Sequence, residues 1–177
     1  PELVVYSGGV PVFIETDEST EFKITAKQLK EKITPKTKIL MLNSPSNPTG
    51  SIYSRDELLA IGEVLKGTDI VVLSDEMYEK LIYKGKKFTA TAEVSEDMYN
   101  RTVTINGLSK SVAMTGWRFG YVACPNSALA KAMSKLQGQV TSNVNSMTQY
   151  AAIVALEGEA NKDIEMMRVE FEKRKDY

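Results

Sequence analysis

The sequence has no histidine and a single cysteine, Cys124, in 177 residues. The missing histidine removes Ser-His-Asp and Cys-His catalysis and most transition-metal sites. Proton transfer near neutral pH then falls to Lys, Asp, Glu, Tyr or the lone thiol. One cysteine forms no disulfide within the chain, which fits a reducing compartment such as the cytoplasm. No apolar run reaches the roughly 18 residues of a membrane span. Charge of one sign is also missing. The formal net charge is -1, with 22 Lys and Arg spread along the chain, so nucleic acids and anionic membranes are poor partners. What remains, 42% apolar and 25% charged residues, is the composition of an ordinary globular domain with a sizeable core.

Strand and helix patterns alternate. Apolar runs predict strands at Val10–Thr16, Thr37–Asn43, Asp69–Glu76, Arg101–Asn106 and Phe119–Cys124. The continuous run of Thr37–Asn43 is that of a strand buried on both faces. Helical spacing covers Ile24–Ile33, Ser54–Gly67 and, towards the end, about Ser127–Gln139, Ser146–Leu156 and Asp163–Lys175. Ser54 and Glu57 have capping-box spacing, and Gly67 is placed to end that helix. The alternation predicts an α/β fold around a mostly parallel sheet. Met41, Met77, Met114, Met133, Met147, Met166 and Met167 read as core or helix filling. Neither end carries the usual helix start or stop signals, so the chain reads as a piece of a longer polypeptide.

Ligands of open α/β sheets bind beyond the carboxyl ends of the strands. Three polar clusters fall there: "NSPSNPTG" (Asn43–Gly50), "DEMY" (Asp75–Tyr78) and "GLSK" (Gly107–Lys110). If Phe119–Cys124 returns antiparallel to the strand before it, Arg118 joins them. Singly, Lys110 reads as a surface lysine, Asp75 as a helix cap, Tyr78 as packing and "SNPTG" as a turn. Their common position argues for a site. A desolvated lysine amine condenses with carbonyls, and a guanidinium is a planar fork suited to phosphate. A carboxylate holds a ring nitrogen protonated, and a phenol hydrogen-bonds a ring oxygen. Pyridoxal 5′-phosphate carries all four complements.

"NSPSNPTG", "SDEMYEKLIY" and "INGLSKSVAMTGWRFGYV" resemble the class I aminotransferases of the aspartate aminotransferase fold. The nearest resemblance is to the bacterial and archaeal aspartate and aspartate/prephenate subgroup. The resemblance implies the central part of the pyridoxal-phosphate-binding large domain of fold type I. The first part of that domain and the C-terminal small domain lie outside these residues. It implies that Lys110 carries the internal aldimine and shuttles the substrate proton, and that Asp75 pairs with the pyridine nitrogen. Tyr78 and Asn47 hold the ring oxygen, Asn47 also faces the substrate carboxylate, and Arg118 binds the phosphate. Many relatives carry a phosphate-binding Ser where this chain has Gly107, so Ser109 is the substitute. Phe119 replaces the usual aliphatic and changes packing only, and Thr141–Asn143 falls where relatives approach the neighbouring subunit's site. The implied reaction is transamination between aspartate and 2-oxoglutarate in a cytoplasmic homodimer, with residues 1–177 alone inactive. A carbon–sulfur β-lyase or prephenate/aromatic aminotransferase would share these residues, as would the aminotransferase-like sensor of a transcription regulator.

Overall fold

The computed structural model describes residues 1–83 and 85–177. Four apolar runs become strands β1 (Ile39–Asn43), β2 (Val71–Asp75), β3 (Thr102–Gly107) and β4 (Gly120–Ala123), ordered β1-β2-β3-β4 in one sheet. The first three are parallel and β4 runs antiparallel to β3. Asn43 lies beside Asp75, Asp75 beside Ile105, and Gly107 beside Gly120. The carboxyl ends of β1–β3 and the amino end of β4 therefore share one edge, as the antiparallel return requires.

The helices are α1 (Glu2–Tyr6), α2 (Ala26–Lys32), α3 (Arg55–Leu65), α4 (Glu96–Arg101), α5 (Leu108–Ser111), α6 (Ser127–Val140), α7 (Ser146–Leu156) and α8 (Asn161–Asp176). α2 and α3 both open on capping boxes, Thr25 with Gln28 and Ser54 with Glu57, so two orphan N–H groups are satisfied at each start. Beyond α3, Gly67 takes φ +74°, the left-handed turn that leads the chain towards β2. Glu57 has a second task. It and Glu21 hold the ammonium of buried Lys23 at 2.7 and 2.8 Å, which compensates the charge taken from water.

The core lies on one face of the sheet. Leu40, Leu42 and Val72 pack there with Leu29 of α2, with Leu58, Ile61 and Leu65 of α3, and with Met98 of α4. The opposite face is largely bare. Ile39 is 57% and Met41 62% exposed, so β1 alternates and is not buried on both faces. Its continuous apolar run marked a strand correctly but said nothing about which layers cover it. Val10–Thr16 is not a strand. Pro11 removes a ladder donor, no described strand pairs with the segment, and Val10, Val12 and Phe13 are exposed. Met41, Met147 and Met166 are likewise exposed, whereas the fully buried methionine is Met98.

Arg101 fastens α4 to the sheet. It donates to both carboxylate oxygens of Asp97 at 2.8 and 2.9 Å, and to the carbonyls of Thr68 and Ile70 at 3.0 and 2.9 Å. Arg101→Ala should destabilise the protein by about 2–3 kcal/mol in chemical denaturation, because two carbonyls lose a charged donor. The Arg101 guanidinium holds the Asp97 carboxyl below its ordinary 3.8. A depressed acid stabilises the fold fully above its unfolded pKa and loses that contribution as pH falls through the folded value. The stability gap between wild type and Asp97→Asn should therefore persist from neutrality to near pH 4 and close below it.

A second prediction concerns Gly107. A Cβ there would stand 2.8 Å from the Phe119 carbonyl oxygen, 3.1 Å from Gly120 Cα and 3.2 Å from Met77 Cε. Two of these are backbone atoms, so β3 and β4 must part. Gly107→Ala should cost about 1–3 kcal/mol, measured by the same denaturation.

Candidate active site

The end of β1 and the end of β2 are joined by side chains. The Asn43 amide donates to the Asp75 carbonyl at 3.2 Å, and its oxygen accepts the Asn47 backbone N–H at 2.9 Å. The Ser44 N–H donates to the same Asp75 carbonyl at 3.0 Å. The loop that carries Asn47 is thereby tied to the strand end that carries Asp75. The sequence reading gave Asn43 no task. The signal available was an amide closing a buried strand, where its donors and acceptor need partners.

Asp75 ends β2 on the bare side of the sheet, half-buried, and its carboxylate accepts the Met77 N–H at 3.1 Å. This is the local capping that a simpler reading allowed. It occupies one oxygen and leaves acceptor capacity on the other. The turn that follows carries Tyr78, and the Asn47 side-chain amide donates to the Tyr78 hydroxyl at 3.4 Å. Lys110 enters from β3 through the single turn α5. Its ammonium lies over the Tyr78 ring, 5.6 Å from the centroid, within cation–π reach. Asn47, Tyr78 and Lys110 are thus brought together, with Asp75 three residues before Tyr78.

Arg118 comes from the turn that leads into β4. It follows the short turn Thr115–Trp117 with φ +54°, and it donates to the Thr115 carbonyl at 2.9 Å. It lines an open cleft of about 840 Å³ with Trp117, Gln137, Thr141, Asn143 and Met147. Thr141 and Asn143 therefore line the same cleft as Arg118. Ser109 contributes its carbonyl, which accepts the Thr115 hydroxyl at 2.9 Å. The close approach of β4 leaves no space at Gly107 for the Ser of many relatives. The Phe119 ring packs at 52° to that of Tyr121, with centroids 6.2 Å apart, and is a packing residue.

Pyridoxal phosphate fits this donor set. An amine, a phenol with an amide beside it and a half-buried carboxylate share one end of the sheet, with an exposed guanidinium just before the return strand. Among the described residues, no cluster of His, Cys, Asp and Glu is arranged for a metal ion, and no helix is long and apolar enough to cross a membrane.

Comparison with known proteins agrees. The family model for aminotransferase class I and II matches residues 1–177. An aspartate aminotransferase of Geobacillus stearothermophilus is 51% identical over 174 residues, 98% of this chain and 44% of that one. A probable aspartate/prephenate aminotransferase of Rhizobium leguminosarum is 47% identical over 177 residues. Among solved structures, the aspartate aminotransferase of Rhizobium meliloti superposes with TM-score 0.93 at 41% identity, covering 99% of this chain and 44% of that one. An aromatic aminotransferase of Pyrococcus horikoshii gives 0.92 at 39%, covering 98% and 46%. The chain spans less than half the length of these relatives. The mixed sheet and its helices have the aspartate aminotransferase fold, and the chain belongs to the class I and II aminotransferases.

Proposed function

We propose that residues 1–177 form part of the pyridoxal-phosphate-binding large domain of an aminotransferase. The complete protein would transfer the amino group of aspartate to 2-oxoglutarate as a cytoplasmic homodimer. The observation that carries this reading is the Lys110 ammonium over the Tyr78 ring, with Asn47 on the Tyr78 hydroxyl and Asp75 on the neighbouring strand end. The identity to aspartate aminotransferases supports aspartate as the donor.

When bound, pyridoxal phosphate supplies an electron-withdrawing ring that accepts the electron pair left by the substrate's α-proton. The chain's own residues do the rest. The Lys110 amine would hold the cofactor through its carbonyl carbon and, once freed by substrate, would be the base that moves the α-carbon proton. The Asp75 carboxylate holds the proton on the ring nitrogen, since a nearby negative charge favours the cationic form. The Tyr78 hydroxyl and the Asn47 amide hold the ring oxygen, and Asn47 also meets the substrate carboxylate. Arg118 grips the phosphate, with the Ser109 hydroxyl beside it.

Borohydride reduction of the full-length holoenzyme should abolish its visible absorbance and fix the cofactor on the Lys110 peptide. A label on another lysine would refute the assignment. Asp75→Asn should keep the cofactor and lose about 100-fold or more in turnover, as when a preorganised electrostatic group is removed. Near-normal turnover in that variant would exclude the role.

Arg118→Ala should act on binding more than on chemistry. Loss of a charge-assisted contact of about 1.5–3 kcal/mol weakens cofactor affinity by roughly 10- to 100-fold. Titration of the full-length apoenzyme measures this directly, and an unchanged dissociation constant would count against phosphate binding by Arg118.

A further inference from the structure

Between Asp75 and Tyr78 sits an acid that the proposed chemistry does not use. Side chains alternate along β2, so Asp75 lies on the bare side while Ser74 and Glu76 turn into the core. Ser74 is 0% and Glu76 2% exposed. One Glu76 carboxylate oxygen accepts the Ser74 hydroxyl and the Thr91 backbone N–H, both at 2.9 Å. The Ser74 and Thr91 hydroxyl oxygens are 2.8 Å apart. Ser74, Thr91 and Glu76 thus form one buried hydrogen-bonded set. Among the described residues, no Lys or Arg lies within salt-bridge distance of this carboxylate.

A buried acid without a cation is an expensive way to fill a core. Burial pushes the Glu76 carboxyl up, and the Thr91 N–H and Ser74 hydroxyl only partly pull it back. An apolar side chain would fill the same space without that cost. What the carboxylate adds is a directional grip at the residue where the strand becomes a turn. The Glu76 N–H still pairs with the Ile105 carbonyl of β3 at 2.9 Å, whereas its own carbonyl already accepts the Glu79 N–H of the turn at 3.0 Å. The peptide groups on either side carry Asp75 and lead to Tyr78.

We propose that Glu76 is a positioning residue. Its buried carboxylate clamps the end of β2 to Ser74 and Thr91, and so aims Asp75 and Tyr78 at the cofactor. The inference rests on the proposed pyridoxal-phosphate function. Glu76 is proposed to touch neither cofactor nor substrate and to act through Asp75, which precedes it, and Tyr78, two residues after it. On the other side of the same strand end, Asn43 and Ser44 grip the Asp75 carbonyl. The clamp from the core and the tie from β1 together hold the residue in place.

The distance from Asp75 to the ring nitrogen would set how strongly the protonated ring is favoured, and through its electron withdrawal the proton affinity of the Lys110-linked nitrogen that the absorbance midpoint reads. The test is that midpoint, with kcat and KM, in full-length holoenzyme carrying Glu76→Ala, Glu76→Gln or Ser74→Ala. Glu76→Ala should move the midpoint by about one pH unit and lower kcat at least about tenfold, with KM much less affected. Glu76→Gln keeps an oxygen that accepts from Ser74 and Thr91, so its kcat and midpoint should lie nearer to wild type than to Glu76→Ala. Ser74→Ala removes one donor at little cost in volume and should move the midpoint in the same direction by less. It keeps the inference open to refutation if Glu76→Ala fails to fold. A folded Ser74→Ala or Glu76→Ala with an unmoved midpoint and normal kcat would overturn the proposal. So would a Glu76→Gln variant as impaired as Glu76→Ala, because charge and not aim would then be the cause. Wild-type protein without any cofactor absorbance would remove the functional reading itself, whereas unmoved variants of a normal holoenzyme overturn only the role of Glu76.

Discussion

The Asp75 carbonyl oxygen is the atom on which the candidate site depends. It accepts from the Asn43 amide and from the Ser44 N–H, and these bonds lock the end of β1 to the end of β2. Asn43 simultaneously holds the Asn47 backbone. Asn47 in turn reaches the Tyr78 hydroxyl, and Tyr78 lies under the Lys110 ammonium. Four polar side chains from three separate stretches of chain are thus connected through one pair of adjacent parallel strands. A parallel sheet makes this possible, because it delivers consecutive strand ends to the same edge.

The same sheet divides its two faces between stability and chemistry. One face buries Leu40, Leu42 and Val72 under α2, α3 and α4. The other leaves Ile39, Met41 and Val122 about half exposed or more. Asp75 belongs to the bare side, where a polar strand end is accessible. Ser74 and Glu76 belong to the covered side, where every polar atom needs a partner. At the boundary one residue step changes the requirement from reactivity to satisfaction, and Glu76 meets the second with donors from Ser74 and Thr91.

Much of this was legible in the sequence, for identifiable reasons. Four apolar runs gave four strands because a strand core needs only local hydrophobicity. Ser54 and Glu57 announced the start of α3 because capping is a contact over three residues. The antiparallel course of β4 was open in the sequence, as the condition for Arg118 to join the other polar clusters, and the sheet has it. Val10–Thr16 misled because its apolar residues fit a strand while pairing, which no single segment encodes, is absent. α4 escaped because six residues from Glu96 to Arg101 are too few to show a helical period. In the site, Asn47, Tyr78 and Lys110 meet as their positions suggested. Asn43 and Glu76 could not be assigned, because Asp75 meets Asn43 only when strands pair and Thr91 meets Glu76 only when the later chain packs on β2.

Arg118 tests how far a spacing argument reaches. It comes eight residues after Lys110, and it lines the cleft of Trp117 and Asn143. Comparison with other arginines explains what the chain keeps there. Arg101 is spent on Asp97, and Arg168 on Glu165 and Glu172. Each is a cation paired with carboxylates of its own helix. Arg55 is spent on the carbonyls of Glu93 and Val94. Arg118 is exposed, and the hydrogen bond it makes is to one neutral carbonyl, that of Thr115. A carbonyl orients a guanidinium without neutralising it, and four of its five N–H groups are left to point elsewhere. A cation held in place, with no carboxylate in salt-bridge distance among the described residues and set in an open cleft, has the electrostatics that the proposed phosphate grip requires.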